Sequence, residues 1–370
     1  DKRNTEKPMK NSISIKNPGV VLLMVLAGLG IGVIHYEAII RLVTQEWQKA
    51  DFDYCYLIPF IILYLIWEKR EWIAARPTQP SWLGLAPLSV GVFFLLLGQL
   101  GGEFLSLYIS MWFMIVGGLL AGLGWEKFKL VFFPVFLLLT AFPPPKFLYS
   151  KLTIGMQLLS TKIGVNVLHT LSIPALRTGN TIDLGFTQMQ VVNACSGLRF
   201  LIPLVILSLL FAYYFRDRWW KRLMIVFLSI PLSIGLNGLR IGLLGILALR
   251  FGEGSIEGSM HDITGWIMFF VAAALLMGCV LILKRVAPLK EPPEEEVPVR
   301  VEESGQSRAR LPVQLIATIL VLASAYGFLE YRQKTDPVIP EARDFSTFPV
   351  QLGQWSGQRH TISEKIIDEL

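Results

Sequence analysis

NACSGLRFLIPLVILSLLFAYYF, residues Asn193 to Phe215, is followed at once by RDRWWKR, Arg216 to Arg222. From Phe200 to Phe215 no residue is charged, whereas the seven that follow hold Arg216, Arg218, Lys221 and Arg222. An apolar run of this kind crosses a bilayer as a helix, because lipid offers its backbone no hydrogen-bond partners. The basic cluster marks the cytoplasmic side. The run therefore descends from the outer face, and Cys195 stands at its outer end.

The same pattern recurs along the chain. Its 370 residues are 53% hydrophobic, and the mean hydropathy is +0.53. These values predict an all-α polytopic membrane protein rather than a soluble domain. The net charge of +6 falls mainly between apolar runs, so it follows topology and points to no nucleic-acid partner. Apolar runs at 19–40, 54–67, 82–100, 104–122, 130–142, 191–215, 223–249 and 263–283 predict a core of eight spans. A ninth, at 311–328, is set apart from them. Alternating loop charges put the N-terminus inside and the C-terminus outside.

Several breaks refine this outline. Pro143-Pro144-Pro145 ends the fifth run. From Lys146 to Leu171 apolar residues recur at Leu152, Met156, Leu159, Ile163 and Val167 among polar ones, which predicts an amphipathic helix on the outer surface. Residues 177–192, with Gly179-Asn180 and Gly185, read as a short hairpin or extended loop rather than a helix. Pro231 and Gly235 predict a kink in the seventh span. The expected organisation is a cytoplasmic segment (1–18), a membrane core (19–283), a disordered cytoplasmic linker (284–310), an extra transmembrane helix (311–329) and the beginning of a truncated exported domain (330–370). The first apolar run lacks a small-residue cleavage site and is read as a span, not a signal peptide.

The topology gathers three polar residues at one depth. Cys195 is at the outer end of the sixth span, and His261 lies just before the outer end of the eighth. Arg240 lies on the order of 25 Å up the seventh, in the outer part of a ~30 Å hydrocarbon layer. An arginine there costs about 2.5–3.5 kcal/mol to insert, so it must be paired or face a cavity. Asn193 as N-cap puts Cys195 in the first helical turn, where the helix dipole favours a thiolate. Arg199, four residues on, adds positive charge on that face. Asn237 and Gly238, just before Arg240, permit close approach of a neighbour.

Blander readings stand beside these. Arg240 as a snorkelling arginine, His261 as an interfacial histidine and a Cys195–Cys55 disulfide are the alternatives. Cys279 reads as an inert buried thiol. His35 stands alone in its span, and His169 reads as solvated. Asp51, Asp53 and Glu103 form an outer rim. The three cysteines fit neither a zinc site nor a disulfide framework, and no HExxH or phosphate-binding glycine loop occurs. No cofactor or metal is expected.

Three blocks together resemble the exosortase/archaeosortase family: Asn193-Ala194-Cys195-Ser196-Gly197-Leu198-Arg199, then Asn237-Gly238-Leu239-Arg240-Ile241, then His261 followed by Gly265-Trp266. They occur in family order, on successive predicted helices, within Gly19 to Leu283. The resemblance implies an integral membrane cysteine transpeptidase of the bacterial inner membrane, with Cys195, Arg240 and His261 as the catalytic triad. Arg199, Asn193 and Asn237 would support it. It implies PEP-CTERM-type partners: exported proteins ending in a short Pro-containing motif, a transmembrane helix and a basic cluster. Phe348 to Gly357 resembles the start of an exported domain that accompanies some exosortases in exopolysaccharide gene clusters, which adds exopolysaccharide assembly proteins as partners beside membrane lipid. The residues alone leave two other functions open. One is an outer-leaflet glycan or lipid-linked sugar transferase gripping a diphosphate with Arg240 and Arg199. The other is a non-enzymatic scaffold for polysaccharide export.

Overall fold

The computed structural model describes residues 18–191, 197–215, 217–252, 259–286, 312–334, 349 and 351–357, without the side chains at 18, 259–262, 333 and 352. The expected cytoplasmic segment, most of the linker and most of the exported tail lie outside the described residues. The chain divides into two units, Asp1–Ala323 and Ser324–Leu370. The first is helical: α1 (Pro18–Ile34), α2 (Tyr36–Arg41), α3 (Ile58–Glu68), α4 (Arg70–Ala75), α5 (Leu85–Gly101), α6 (Phe104–Leu123) and α7 (Trp125–Leu137) come first. Then follow α8 (Lys146–Thr170), three short strands, α9 (Leu198–Tyr214), α10 (Trp219–Phe251), α11 (Ser259–Arg285) and the first half of α12 (Val313–Lys334).

Among the described residues five helices are long and apolar enough to span alone: α5 with its leading 3-10 turn, α6, α10, α11 and α12. The number reaches seven if two bent pairs count as one span each. The all-α polytopic architecture stands, and the described helices give five to seven such spans. Two of the expected spans are short as helices. α3 has 11 residues and α9 has 17, both short of the ~20 that cross a ~30 Å hydrocarbon layer. The first expected span is also broken. It bends by 70° between α1 and the segment Tyr36–Glu46, which ends in a π-helical turn.

His35 stands at that break and is not alone. It is 1% exposed, and its ring contacts the Ile31 carbonyl at 2.9 Å and Ser110 Oγ at 3.0 Å. Ser110 Oγ also donates to the Gly91 carbonyl at 2.7 Å. This polar chain ties the break to α5 and α6 and satisfies groups that lipid cannot.

The turn between α5 and α6 follows its sequence closely. Gly102 takes the left-handed conformation with φ +63°, which closes α5. Glu103 caps α6, its carboxylate accepting from the Leu105 and Ser106 amides at 2.9 and 2.7 Å. α12 begins as part of the first unit: Leu315 and Leu322 are buried where Gly122 of α6 and Gly30 of α1 leave space. The ninth span is therefore packed on the bundle by its first half.

α8 differs most from expectation. The helix forms over the expected residues, but it does not bury one purely apolar face. Thr153, Gln157, Ser160, Thr161 and Gly164 are buried with Met156, Val165 and Leu168, while Leu152, Ile154 and Leu159 are exposed. Lys151, Lys162, Asn166 and His169 are exposed as well, so the face turned to protein mixes small, polar and apolar residues. The α7–α8 pair, bent by 79°, has the form of a broken span or a re-entrant loop. α8 packs along α10 through interlocking glycines. A Cβ on Gly238 would sit 2.4 Å from Ile163, and one on Gly164 2.6 Å from Ile241. Gly242 and Gly245 receive Val167 and Leu168 in the same way.

The expected hairpin is a three-stranded antiparallel sheet of β1 (Leu176–Thr178), β2 (Thr181–Asp183) and β3 (Gln188–Gln190). Its buried side, Ile182 and Met189 with Leu184 and Val191, covers the last turns of α8 and α10 at Leu168, Leu244 and Ala248. α10 is helical throughout its 33 residues, including Pro231. At its start Lys221, 0% exposed on its side chain, pairs with Asp217 at 2.5 Å. The second unit holds the end of α12 and a hairpin of β4 (Gln351–Leu352) and β5 (Trp355–Ser356), turned at Gly353 with φ +60°.

Two outcomes follow from the packing and the cap. Gly238→Ala forces Ile163 and α8 away and is expected to cost about 1–3 kcal/mol in detergent unfolding. Gly235→Ala, whose Cβ would meet nothing within 4 Å, should be neutral. Burial raises the Glu103 carboxyl, but its hydrogen bonds from Ser106 and Leu105 outweigh this and hold it below its ordinary 4.5. A depressed carboxyl contributes stability above its unfolded value and loses it as pH falls through the folded one. Glu103→Ala should therefore cost about 1 kcal/mol near neutral pH and nothing once the wild-type carboxyl is protonated, as acid-series unfolding will report.

Candidate active site

α9, α10 and α11 pack together around Leu204, Ile225, Leu236, Ala272 and Leu276. Toward the end of the bundle where α9 begins, apolar packing gives way to Arg240. It is 2% exposed, and its Nε donates to Thr264 Oγ1 of α11 at 3.4 Å. Its guanidinium carbon lies 5.6 Å from the centroid of the Phe200 ring on α9. Gly265 makes room for both partners: a Cβ there would lie 2.6 Å from Phe200 and 3.3 Å from Arg240 Nη2. Arg240 is eleven residues, or about 16 Å, from the end of α10. It is thus buried between three helices rather than snorkelling along one.

Phe200, Arg240 and Thr264 define one level. Cys195 lies five residues before Phe200. His261 lies three residues, about one turn, before Thr264 on the same face of α11. Both point in sequence toward the same end of the bundle. Asn193 and Cys195 fall outside the described residues, as does the His261 side chain; the backbone at 261 is within α11.

The start of α9 corrects the expectation about capping. The helix begins at Leu198, and its N-cap is Gly197 with φ +87°. Gly197 thus takes the place expected of Asn193 as the cap of α9; Asn193 and Cys195 themselves, and the first-turn thiol expected there, lie outside the described residues. Capping preference favours Asn over Gly, but it could not foresee a left-handed pivot four residues later.

Arg199 is half-buried and pairs with Asp53 at 3.5 Å. The pair ties the first turn of α9 to the 3-10 turn Asp53–Leu57. Asp53, expected on a solvated rim, is thus an anchor. Asn237 is 5% exposed, and its Nδ2 donates to Ser160 Oγ on α8 at 3.0 Å. Between α9, α10 and α11 lies a cavity of about 20 Å³, room for one water. Gly197, Phe200, Ser233, Asn237, Arg240 and Met268 line it.

The other candidates separate from this site. Cys55 is a free thiol, 0% exposed, with its sulfur 3.9 Å from the Thr140 carbonyl. The other end of the alternative Cys195–Cys55 disulfide lies outside the described residues. Cys279 is free and half-buried in α11. His169 contacts the Ala175 carbonyl at 2.8 Å and is exposed. Among the described residues no three His, Cys, Asp or Glu side chains gather to hold a metal. Ser160, Thr264 and Phe200 escaped sequence reasoning. None of the three carries a motif of its own.

The transmembrane exosortase family model matches residues 47–278, more than half of the chain. The chain belongs to the transmembrane exosortase family. No curated protein and no solved structure matches it. The matched range includes α9, α10 and nearly all of α11, and so the level at which Arg240 is held. Exosortases are transmembrane sorting transpeptidases whose substrates are exported proteins with sorting signals, and this multi-pass exosortase shares that general activity.

The Gly265 notch is testable. Gly265→Ala displaces Phe200 from Arg240 and should lower processing of an exported substrate on the order of tenfold. Gly278→Ala, with nothing within 4 Å of its Cβ, should not.

Proposed function

We propose that this exosortase is a cysteine transpeptidase in which Cys195, Arg240 and His261 act together on C-terminal sorting signals of the PEP-CTERM type. The observation that carries the reading is Arg240. A guanidinium is buried among apolar helices and held by Phe200 of α9 and Thr264 of α11, which follow Cys195 and His261 by five and three residues in sequence. Such a charge is costly in lipid and is retained where it has chemical work.

The Cys195 sulfur, as thiolate, attacks the carbonyl carbon of a peptide bond just outside the substrate's membrane helix. Arg240 supplies directed positive charge to the thiolate and then to the oxyanion. As the C–N bond breaks, His261 gives its proton to the departing amine, leaving an acyl thioester on sulfur. An acceptor amine, or water, then attacks the thioester, His261 takes its proton, and the thiolate is regenerated. Arg199 and Asn237 support the helix ends rather than the chemistry, as their partners Asp53 and Ser160 suggest. The site faces the outer side of the bacterial inner membrane, with the N-terminus cytoplasmic.

The arrangement favours this over a diphosphate clamp. Arg199 is engaged by Asp53, and Arg240 is buried against Phe200. Cys195→Ala and Cys195→Ser are expected to abolish processing of a substrate carrying the Pro-motif, helix and basic cluster, and unchanged processing refutes the proposal. Arg240→Lys should lower kcat far more than it raises KM, because a point charge does not replace the planar fork.

A further inference from the structure

We propose that Ser160 on α8 is a positioning residue for the cysteine segment, acting through the Asn237 carboxamide on Gly197; this rests on reading Cys195 as the nucleophile. Ser160 is 0% exposed and Asn237 is 5% exposed. A hydroxyl and a carboxamide buried in an apolar bundle are costly unless they bond. These two meet at 3.0 Å across 77 positions of chain. So short a side chain as serine reaches α10 because the helices touch through Gly164 and Gly238, on either side of this bond.

The opposite flank of Asn237 carries Gly197. A Cβ on Gly197 would lie 2.8 Å from both Cγ and Nδ2 of Asn237 and 3.1 Å from its Cβ. The carboxamide is thus held between the Ser160 hydroxyl and the Gly197 backbone. Gly197 is the left-handed pivot at which the chain enters α9, with φ +87°. Only glycine accepts both that conformation and that contact. Cys195 lies two residues upstream, so the seat on which Gly197 rests sets where the cysteine segment begins. Without the Ser160 hydroxyl, the Asn237 amide loses its bond to α8, and the seat under Gly197 shifts with it. Ser160 itself touches no reacting atom in this account.

The test uses the full chain in lipid nanodiscs, with Ser160→Ala, Ser160→Thr, Asn237→Ala and the Ser160→Ala/Asn237→Ala double variant. Two readouts are taken: the rate of Cys195 alkylation by iodoacetamide, resolved by peptide mass spectrometry, and kcat and KM for a tagged exported substrate. Ser160→Ala is expected to shift Cys195 alkylation about fivefold or more and lower kcat on the order of tenfold, with KM nearly unchanged. Cys279 alkylation should not change. Ser160→Thr, which keeps the hydroxyl, should restore both readouts, and the double variant should be no worse than Asn237→Ala alone. Wild-type alkylation and kcat in Ser160→Ala, or multiplied losses in the double variant, overturn the proposal. Should Ser160→Ala fail to fold, Asn237→Ala and Gly197→Ala take its place, and the idea falls if neither shifts alkylation. Normal processing by Cys195→Ala would refute the transpeptidase reading, while the alkylation arm would still judge the seat by itself.

Discussion

The contact on which the rest of the bundle depends is the glycine seam between α8 and α10. In lipid, helices gain little from burying apolar surface against each other, since the lipid is equally apolar. Close packing and polar bonds must supply the association. Gly164, Gly238, Gly242 and Gly245 let Ile163, Ile241, Val167 and Leu168 sink into the opposing helix. That approach brings Ser160 within reach of Asn237. It also fixes the stretch of α10 from which Arg240 reaches α9 and α11. A wider seam would leave both polar side chains buried without their present partners.

Arg240 shows how one charge can organise three helices. Thr264, Phe200 and the Gly265 notch each come from a neighbour, and each is small or apolar. Among the described contacts, a hydroxyl and a ring face orient the guanidinium.

Much of this was legible in the sequence, and the parts that were not share a cause. The α5–α6 turn was readable because glycine and a capping carboxylate act locally at Gly102 and Glu103. Arg240 was readable because a charge in an apolar run is costly wherever it lies. The helical period in α8 was also readable, but not which residues it buries: packing against α10 buries Ser160 and Gln157 together with Met156, while Leu152 and Leu159 stay exposed. The break at His35 and the late start of α9 at Gly197 depend on contacts far away in the chain, with Ser110 and with Asn237. No local pattern announces either one. The segment that carries Cys195 lies outside the described residues.

α10 has a consequence for the membrane as well as for the site. Its 33 residues measure about 50 Å, against a hydrocarbon layer of ~30 Å. A helix this long must tilt, project beyond the lipid, or thicken the bilayer around it. Hydrophobic mismatch therefore acts on the very helix that carries Arg240. A thinner or thicker bilayer changes the tilt of α10, and tilt raises or lowers the guanidinium relative to the lipid surface. The level at which this exosortase holds Arg240 is coupled in this way to the thickness of its bilayer.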